Sequence, residues 1–220
     1  MSYLHDMCCG RAHPRQRSRR GGSAVVCRGV RVWPVLQGYA DTSTLEIARR
    51  AKISKRDLYA NFTSKHAVLV ACIKSRGDRM RLPPDLPVPQ NRQMLASTLT
   101  SFATNLVREV SDPAVIATFR LAIAEATRSP EIAQALDVAG RDTTRGALAE
   151  LLANAQSAGL IGTGEPNEMA WQYLGLLWEG LIVGLLLGVA ATPEPAEAEQ
   201  RATKATAAFM QLHPNPATDG

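Results

Sequence analysis

Two helix starts lie only eleven residues apart near the first third of this 220-residue chain: Ser43-Thr44-Leu45-Glu46 and Ser54-Lys55-Arg56-Asp57. In each, a serine hydroxyl can accept from a free backbone N–H of the first turn. The acidic residue three places on can reach back to the N–H of the cap. Between them, Leu45, Ile47, Ala48 and Ala51 are available for packing, and Ala51-Lys52-Ile53 reads as a tight turn. After the second start, Leu58 and Phe62 are four residues apart and share one buried face. Lys55, Arg56, Tyr59 and Asn61 then fall on or near the exposed side. Ser64 begins a third helix with Ala67, Val68, Ala71 and Cys72 inward.

Two helices joined by a tight turn, the second short and basic at its N-terminal end, form a helix-turn-helix. Such a helix enters the DNA major groove by its first residues. Lys55 and Arg56 can then meet base edges, where the planar arginine fork matches the two acceptors of guanine. The Tyr59 hydroxyl, Asn61 amide and Lys65 ammonium can reach phosphates, which set register without reading sequence. The free N–H groups near Ser43 and Ser64 offer phosphate contacts at helix starts. The bland alternative is an ordinary helical hairpin with a solvated charged face. No single residue separates the two readings; the joint pattern of caps, core and cations favours the first.

Charge supports it. The net +5 divides into about +6 over residues 1–38, +6 over 39–82 and −7 over 83–220. A basic N-terminal third on an acidic body suits a polyanion at one end. The apolar content of 45% and charged content of 20% indicate a globular fold. The four cysteines, Cys8, Cys9, Cys27 and Cys72, form no CxxC pair, so reduced thiols and a cytoplasmic location are expected. His5, Cys8, Cys9 and His13 are too close in sequence for all to aim at one tetrahedral ion, and no metal or cofactor is expected. The basic start has no apolar core of signal-peptide length.

The rest of the chain reads as helices. Leu82 to Gln90, LPPDLPVPQ, holds four prolines and marks a linker between a DNA-binding unit, 38–81, and a second domain, 91–213, with a tail at 214–220. Helices are expected from Arg92 to Val110, then from Pro113, with Val115, Ile116, Phe119, Ala122 and Ile123 on one face. Another runs from Pro130 to about Ala158, stopped by Gly159 and weakened at Gly140 and Gly146. One long apolar helix is expected from Asn167 to about Ala191, with Gly180, Gly184 and Gly188 baring one face for close approach. A membrane span is disfavoured by Glu179 within the run and by acidic flanks. A last helix, Pro195 to His213, carries Ala202, Ala205, Ala208, Phe209 and Leu212, which could complete a four-helix dimer interface. A pocket among the middle helices would be apolar. Phe102, Phe119, Trp171 and Trp178 are candidate lining residues, with Arg120, Glu125 and Glu179 as polar handles; plain core packing is the alternative for each aromatic.

The stretch TSTLEIARRAKISKRDLYANFTSKHAVLVA resembles the DNA-binding signature of the TetR family of bacterial repressors, in which IA, a turn, then S, LY, F and K recur. The resemblance spans Gly38 to about Arg79. It implies an all-α homodimer with an N-terminal DNA-binding domain and a C-terminal ligand-binding and dimerisation domain. Lys55 and Arg56 fall where the family reads bases. Ser43, Thr44, Tyr59, Asn61 and Lys65 fall at its phosphate-contacting positions. Lys52 stands where the family commonly has glycine, which is tolerable if the backbone there avoids the left-handed region. More loosely, RLAIAEATRSPEIAQAL and the helices around Trp171 and Phe209 resemble the regulatory domain of one branch of the family.

The first 37 residues depart from that pattern. Where the family has an amphipathic helix before Gly38-Tyr39, this chain has SAVVCRGVRVWPVLQ, with Gly29 interrupting and Pro34 removing a helix hydrogen bond. Residues 1–37 are expected to be disordered or not native to the family, through a frameshift or misassigned start. The resulting expectation is a ligand-released repressor acting as a homodimer on a palindromic operator, with double-stranded DNA, a second copy and an apolar small molecule as partners. The alternative is a helical small-molecule-binding dimer whose DNA binding is lost with its first helix. Nothing supports an enzyme: no Ser/His/Asp set, glycine-rich phosphate loop or metal array is present, and His5, His13, His66 and His213 are scattered.

Overall fold

The computed structural model describes residues 43–50, 52–80 and 88–215. The expectations for residues 1–37, the Gly38-Tyr39 junction and most of the proline-rich stretch lie outside these residues. So do the Ile47 and Lys65 side chains. Every element described is helical: α1 Thr44–Arg50, α2 Lys55–Asn61, α3 Lys65–Gly77 with a 3-10 turn Asp78–Met80, α4 Arg92–Val110, α5 Pro113–Ala124, α6 Pro130–Leu136, α7 Thr143–Ser157, α8 Pro166–Trp178, α9 Leu181–Leu187 and α10 Pro195–Leu212. A π-helical turn, Asp137–Asp142, joins α6 to α7 without a loop. It falls around Gly140, where the sequence weakens an α-helix, and Thr143 Oγ1 donates to the Val138 carbonyl inside it at 2.7 Å.

Local chemistry sets these boundaries. Pro113, Pro130, Pro166 and Pro195 each stand in the first turn of a helix, where their missing N–H costs nothing. Asn91, Asp112 and Glu165 accept from first-turn N–H groups at 2.8, 2.9 and 2.8 Å. Glu194 and Glu197 form a reciprocal capping box on α10. Gly159, at φ 68°, ends α7.

The expected long helix from Asn167 to Ala191 is instead two. Glu179 (φ 31°) and Gly180 (φ 78°) are consecutive left-handed residues, and the axis turns by 55° between α8 and α9. The carbonyls stranded by the break are met by Arg201, whose Nη1 donates to Leu177 O at 3.2 Å. Gly188, at φ 76°, ends α9, and Arg120 caps it by donating to Leu186 O at 2.9 Å and Leu185 O at 2.8 Å. Gly180 and Gly188 are therefore helix ends and not a packing stripe. The bend lays α9 on α5, while Leu181 and Ile182 at its start still pack against the main core. Among the described residues no single helix is long and apolar enough to cross a membrane.

The main core interleaves α4, α7, α8 and α10. Leu95, Leu99, Leu148, Leu152, Tyr173, Leu177 and Phe209 are fully buried in it. Tyr173 donates to Leu99 O at 2.8 Å and shares a 2.9 Å bond with the Thr206 hydroxyl, while the Phe209 ring meets it edge-on at 5.3 Å. Ala202, Ala205 and Phe209 thus face their own protomer and not a partner, because α10 buries them against α4 and α8. Arg92, at the start of α4, ties the C-terminal ends of α7 and α10 together, donating to Leu160 O at 2.8 Å, to His213 O at 2.9 Å and to Met210 O.

A smaller core of Ala48, Leu58, Phe62 and Val68 holds α1, α2 and the start of α3. The small core is joined to the body through a third cluster, because α3 carries two apolar stripes. Val68 faces the small core, whereas Leu69 and Ile73 pack against Ala122 of α5 and Ile132 of α6. Near the end of α3, Gly77 approaches the body so closely that a Cβ there would lie 2.0 Å from the Ala139 carbonyl oxygen. One residue earlier, Arg76 pairs with Glu109 and Asp112, each at 2.9 Å.

Candidate nucleic-acid interface and effector cavity

The geometry of α2 follows from its cap. Ser54 Oγ accepts from Asp57 N at 3.0 Å and donates to the Asp57 carboxylate at 2.6 Å. Aspartate is one methylene shorter than glutamate, so its carboxylate takes the cap hydroxyl. This start turns Leu58 inward, 1% exposed, and leaves Lys55 and Arg56 exposed. Lys55 Nζ sits 5.9 Å from the centre of the Tyr59 ring. The Tyr59 hydroxyl meets Thr44 Oγ1 at 2.8 Å, joining α2 to the start of α1. Ser43 Oγ accepts from Glu46 N at 3.2 Å, while the Glu46 carboxylate forms a two-point bond with Arg49. Ser64 Oγ accepts from Ala67 N at 3.1 Å and starts α3, with Lys65 as its first residue.

The outcome is a face on which Ser43, Thr44, Lys55, Arg56 and Tyr59 lie together at the tips of two helices. Asn61 differs: its side-chain amide is folded back onto Asp57 O at 2.8 Å, which uses one of its two N–H donors and leaves the other. The turn also differs from expectation. Lys52 does adopt the left-handed conformation, φ 54°, that a glycine would accept freely. Its N–H bonds Arg49 O at 3.2 Å and Ile53 N bonds Ala48 O at 3.1 Å, so the turn closes despite the side chain.

Below this unit lies a cavity of about 420 Å³. One wall is the second half of α3, with Leu69, Cys72, Ile73, Arg76 and Gly77. The others are α4 and α5 residues such as Leu106 and Phe119, the π turn with Gly140 and Arg141, and Trp171, Trp178 and Ile182 of α8 and α9. Paired with Arg76 of this wall, Asp112 is held below the usual carboxylate range. Burial alone would raise it, but the bonds from Arg76 and from Ala114 N–H outweigh that.

The sequence profile described as AefR-like transcriptional repressor, C-terminal domain, matches residues 97–213, more than half of the chain. That of the bacterial regulatory proteins, tetR family, matches residues 35–72. The chain belongs to the TetR family. Among solved structures, a TetR-family transcriptional regulator from Mesorhizobium loti MAFF303099 is 23% identical, with a TM-score of 0.72 over 92% of this chain and 99% of the other. A TetR transcriptional regulator from Agrobacterium tumefaciens is 25% identical, with a TM-score of 0.71 over 94% and 98%. The Flavonoid-responsive Regulator FrrA is 28% identical, with a TM-score of 0.67 over 90% and 98%. Among proteins of curated function, none matches the chain by sequence.

In this TetR-family chain, three of the expected pocket residues, Phe119, Trp171 and Trp178, line the cavity. Phe102 packs in the main core, 6% exposed, and Arg120 is committed to the end of α9. Glu179 is 82% exposed at the helix break, away from the lining. Glu125, the third expected handle, is likewise absent from the lining. Sequence reasoning did not single out Arg76, Arg141 or Thr144. The signal for Arg76 was available: Leu69 and Ile73 form a second stripe on α3, which implies a second packing partner. Among the described residues no group of His, Cys, Asp and Glu could hold a metal; His5, Cys8, Cys9 and His13 lie outside them.

Proposed function

We propose that this protein is a homodimeric, ligand-released repressor that acts in the cytoplasm on a palindromic operator. Lys55 and Arg56 read base edges. Ser43, Thr44, Tyr59, Asn61 and Lys65 contact phosphates, Asn61 through the amide N–H that its bond to Asp57 leaves over. The observation that carries the reading is the double duty of α3: its first half buttresses the recognition helix and its second half walls the cavity. A ligand that prefers one placement of that wall shifts the population of recognition-helix spacings. Two half-sites need a separation of one DNA turn, roughly 34–36 Å, so a modest splay weakens the grip.

The exposed apolar side chains Val183, Leu187 and Val189 are a surface that a second copy would cover. The effector carries a planar aromatic ring system that an apolar chamber would take up. Trp171, Trp178 and Phe119 line the chamber that would hold it, and the flavonoid response named for FrrA belongs to the same chemical class.

Fluorescence anisotropy tests this, with labelled DNA from upstream of the protein's own gene across a salt series. A specific site with a steep salt slope is expected. Arg56→Ala should cost ~1–3 kcal/mol and relax sequence preference; Lys65→Ala should weaken all sequences alike and flatten the slope. Equal loss of discrimination from both substitutions contradicts the role assignments. No specific site at any salt contradicts the regulator reading.

A further inference from the structure

The charged residues that line the cavity are all of one sign. Its lining holds two arginines, Arg76 and Arg141, and no aspartate or glutamate. The two are in different states. Arg76 is doubly paired, with Glu109 and Asp112 each at 2.9 Å, and its side chain is 19% exposed. Its charge is already answered. Arg141 pairs with one carboxylate, Asp137, through Nε at 2.7 Å. Its two terminal amino groups have no partner among the described residues. The Arg141–Asp137 pair is i,i+4 and well exposed, 65% and 50%, so water screens it and little holds it against a competitor.

The free fork is positioned. The Arg141 guanidinium lies 5.4 Å from the centre of the Trp171 ring, and that of Arg145 lies 5.3 Å from the same ring. Arg145 is itself ion-paired with Asp142. The π turn is what sets Arg141 at the cavity wall: Gly140 and Arg141 both line it, next to Ala139, against which Gly77 of α3 packs. A planar donor pair beside an indole face, at the rim of an apolar chamber, matches an aromatic ring carrying a carboxylate or ionised phenol.

We propose that the effector is an aromatic weak acid bound as its anion, with the ring among Trp171, Trp178 and Phe119 and the anionic oxygens on the Arg141 terminal amino groups. This rests on the cavity being the effector site and adds the charge of the ligand. Thr118, whose hydroxyl donates to Ala114 O at 2.7 Å, retains lone pairs to accept from a ligand hydroxyl deeper in the chamber. A cationic aromatic of the same shape is disfavoured, because no carboxylate faces the chamber.

The test is isothermal titration calorimetry on the full chain with three compounds of one shape: 2-naphthoate, the neutral 2-naphthalenemethanol and the cationic 2-naphthylmethylamine. Wild type should bind the acid at least ~10-fold tighter than the alcohol, with the amine weakest. Arg141→Met keeps the stem over Trp171 and removes the fork. It should erase the advantage of the acid and leave the alcohol within about twofold of wild type. Arg141→Lys should keep part of the advantage. Equal binding of acid and alcohol by wild type, or an advantage that survives Arg141→Met, overturns the assignment of the anion site while leaving the cavity as a binding site. Failure of all three compounds to bind overturns the effector cavity itself, and this inference with it.

Discussion

Replacing Gly77 by alanine probes the joint between the DNA-reading unit and the body. The added Cβ would lie 2.0 Å from the Ala139 carbonyl oxygen and 2.8 Å from its carbon. An acceptable carbon–oxygen approach is about 3.3 Å, so α3 and the π turn must separate by roughly 1.3 Å. The obstacle is backbone and cannot rotate away. Overpacking of this kind costs ~1–3 kcal/mol, and the upper end applies where no side chain can yield. Alanine recovers about 1 kcal/mol of helix propensity at the same position. The net loss is therefore about 2 kcal/mol, or roughly 4–8 °C in Tm for a chain of this size. Gly140→Ala is the matched control, since a Cβ there meets nothing within 4 Å. Thermal unfolding followed by circular dichroism compares the three proteins, and anisotropy with operator DNA reads the joint. Gly77→Ala should unfold early and bind operator more weakly, because the displaced wall of α3 carries the recognition unit with it. Gly140→Ala should match or exceed wild type in Tm. If Gly77→Ala were as stable as that control and bound DNA normally, the close approach would not be the joint described.

Three further outcomes follow from single residues. Lys52→Gly should relieve the left-handed strain, worth ~1–2 kcal/mol less the entropy glycine loses on folding; the expected result is slower hydrogen exchange in α1 and α2, by roughly 0.5–1 kcal/mol of local stability. Tyr173→Phe should cost about 1–2 kcal/mol, lowering Tm by roughly 3–6 °C, because the buried Thr206 hydroxyl loses its partner while the ring packing stays. The Asp112 carboxyl titrates below its ordinary 3.8, so its tie to Arg76 is complete at neutral pH and fades as pH falls through the folded-state value. Urea midpoints for wild type and Asp112→Asn should differ most near pH 7 and converge in acid; a gap that widens on acidification would reverse the sign of that linkage.

The helix-turn-helix was legible because its determinants are local. Ser54, Leu58 and Phe62 act within two turns of one another, and the caps, buried face and exposed cations all follow from spacing along one short helix. The proline-initiated helices were legible for the same reason. The cavity was legible only in part. Phe119, Trp171 and Trp178 stand out as rare aromatics in a helical domain, but nothing local separates them from Phe102, which packs in the core. Arg141 reads as a surface charge until the π turn and α8 bring it beside Trp171.

From sequence alone came an all-helical chain, a basic DNA-reading hairpin and an acidic body, all set by hydrophobic period, capping chemistry and charge along the chain. Tertiary packing alone decided where α8 breaks. The gain from laying α9 on α5 outweighs the strain of a left-handed Glu179, and no residue count predicts that balance. Packing also decided that α10 turns Ala202 and Phe209 inward, and that α3 spends one stripe on each of two cores. Those choices compare contacts between distant segments, and the chain's local spacing carries no record of them.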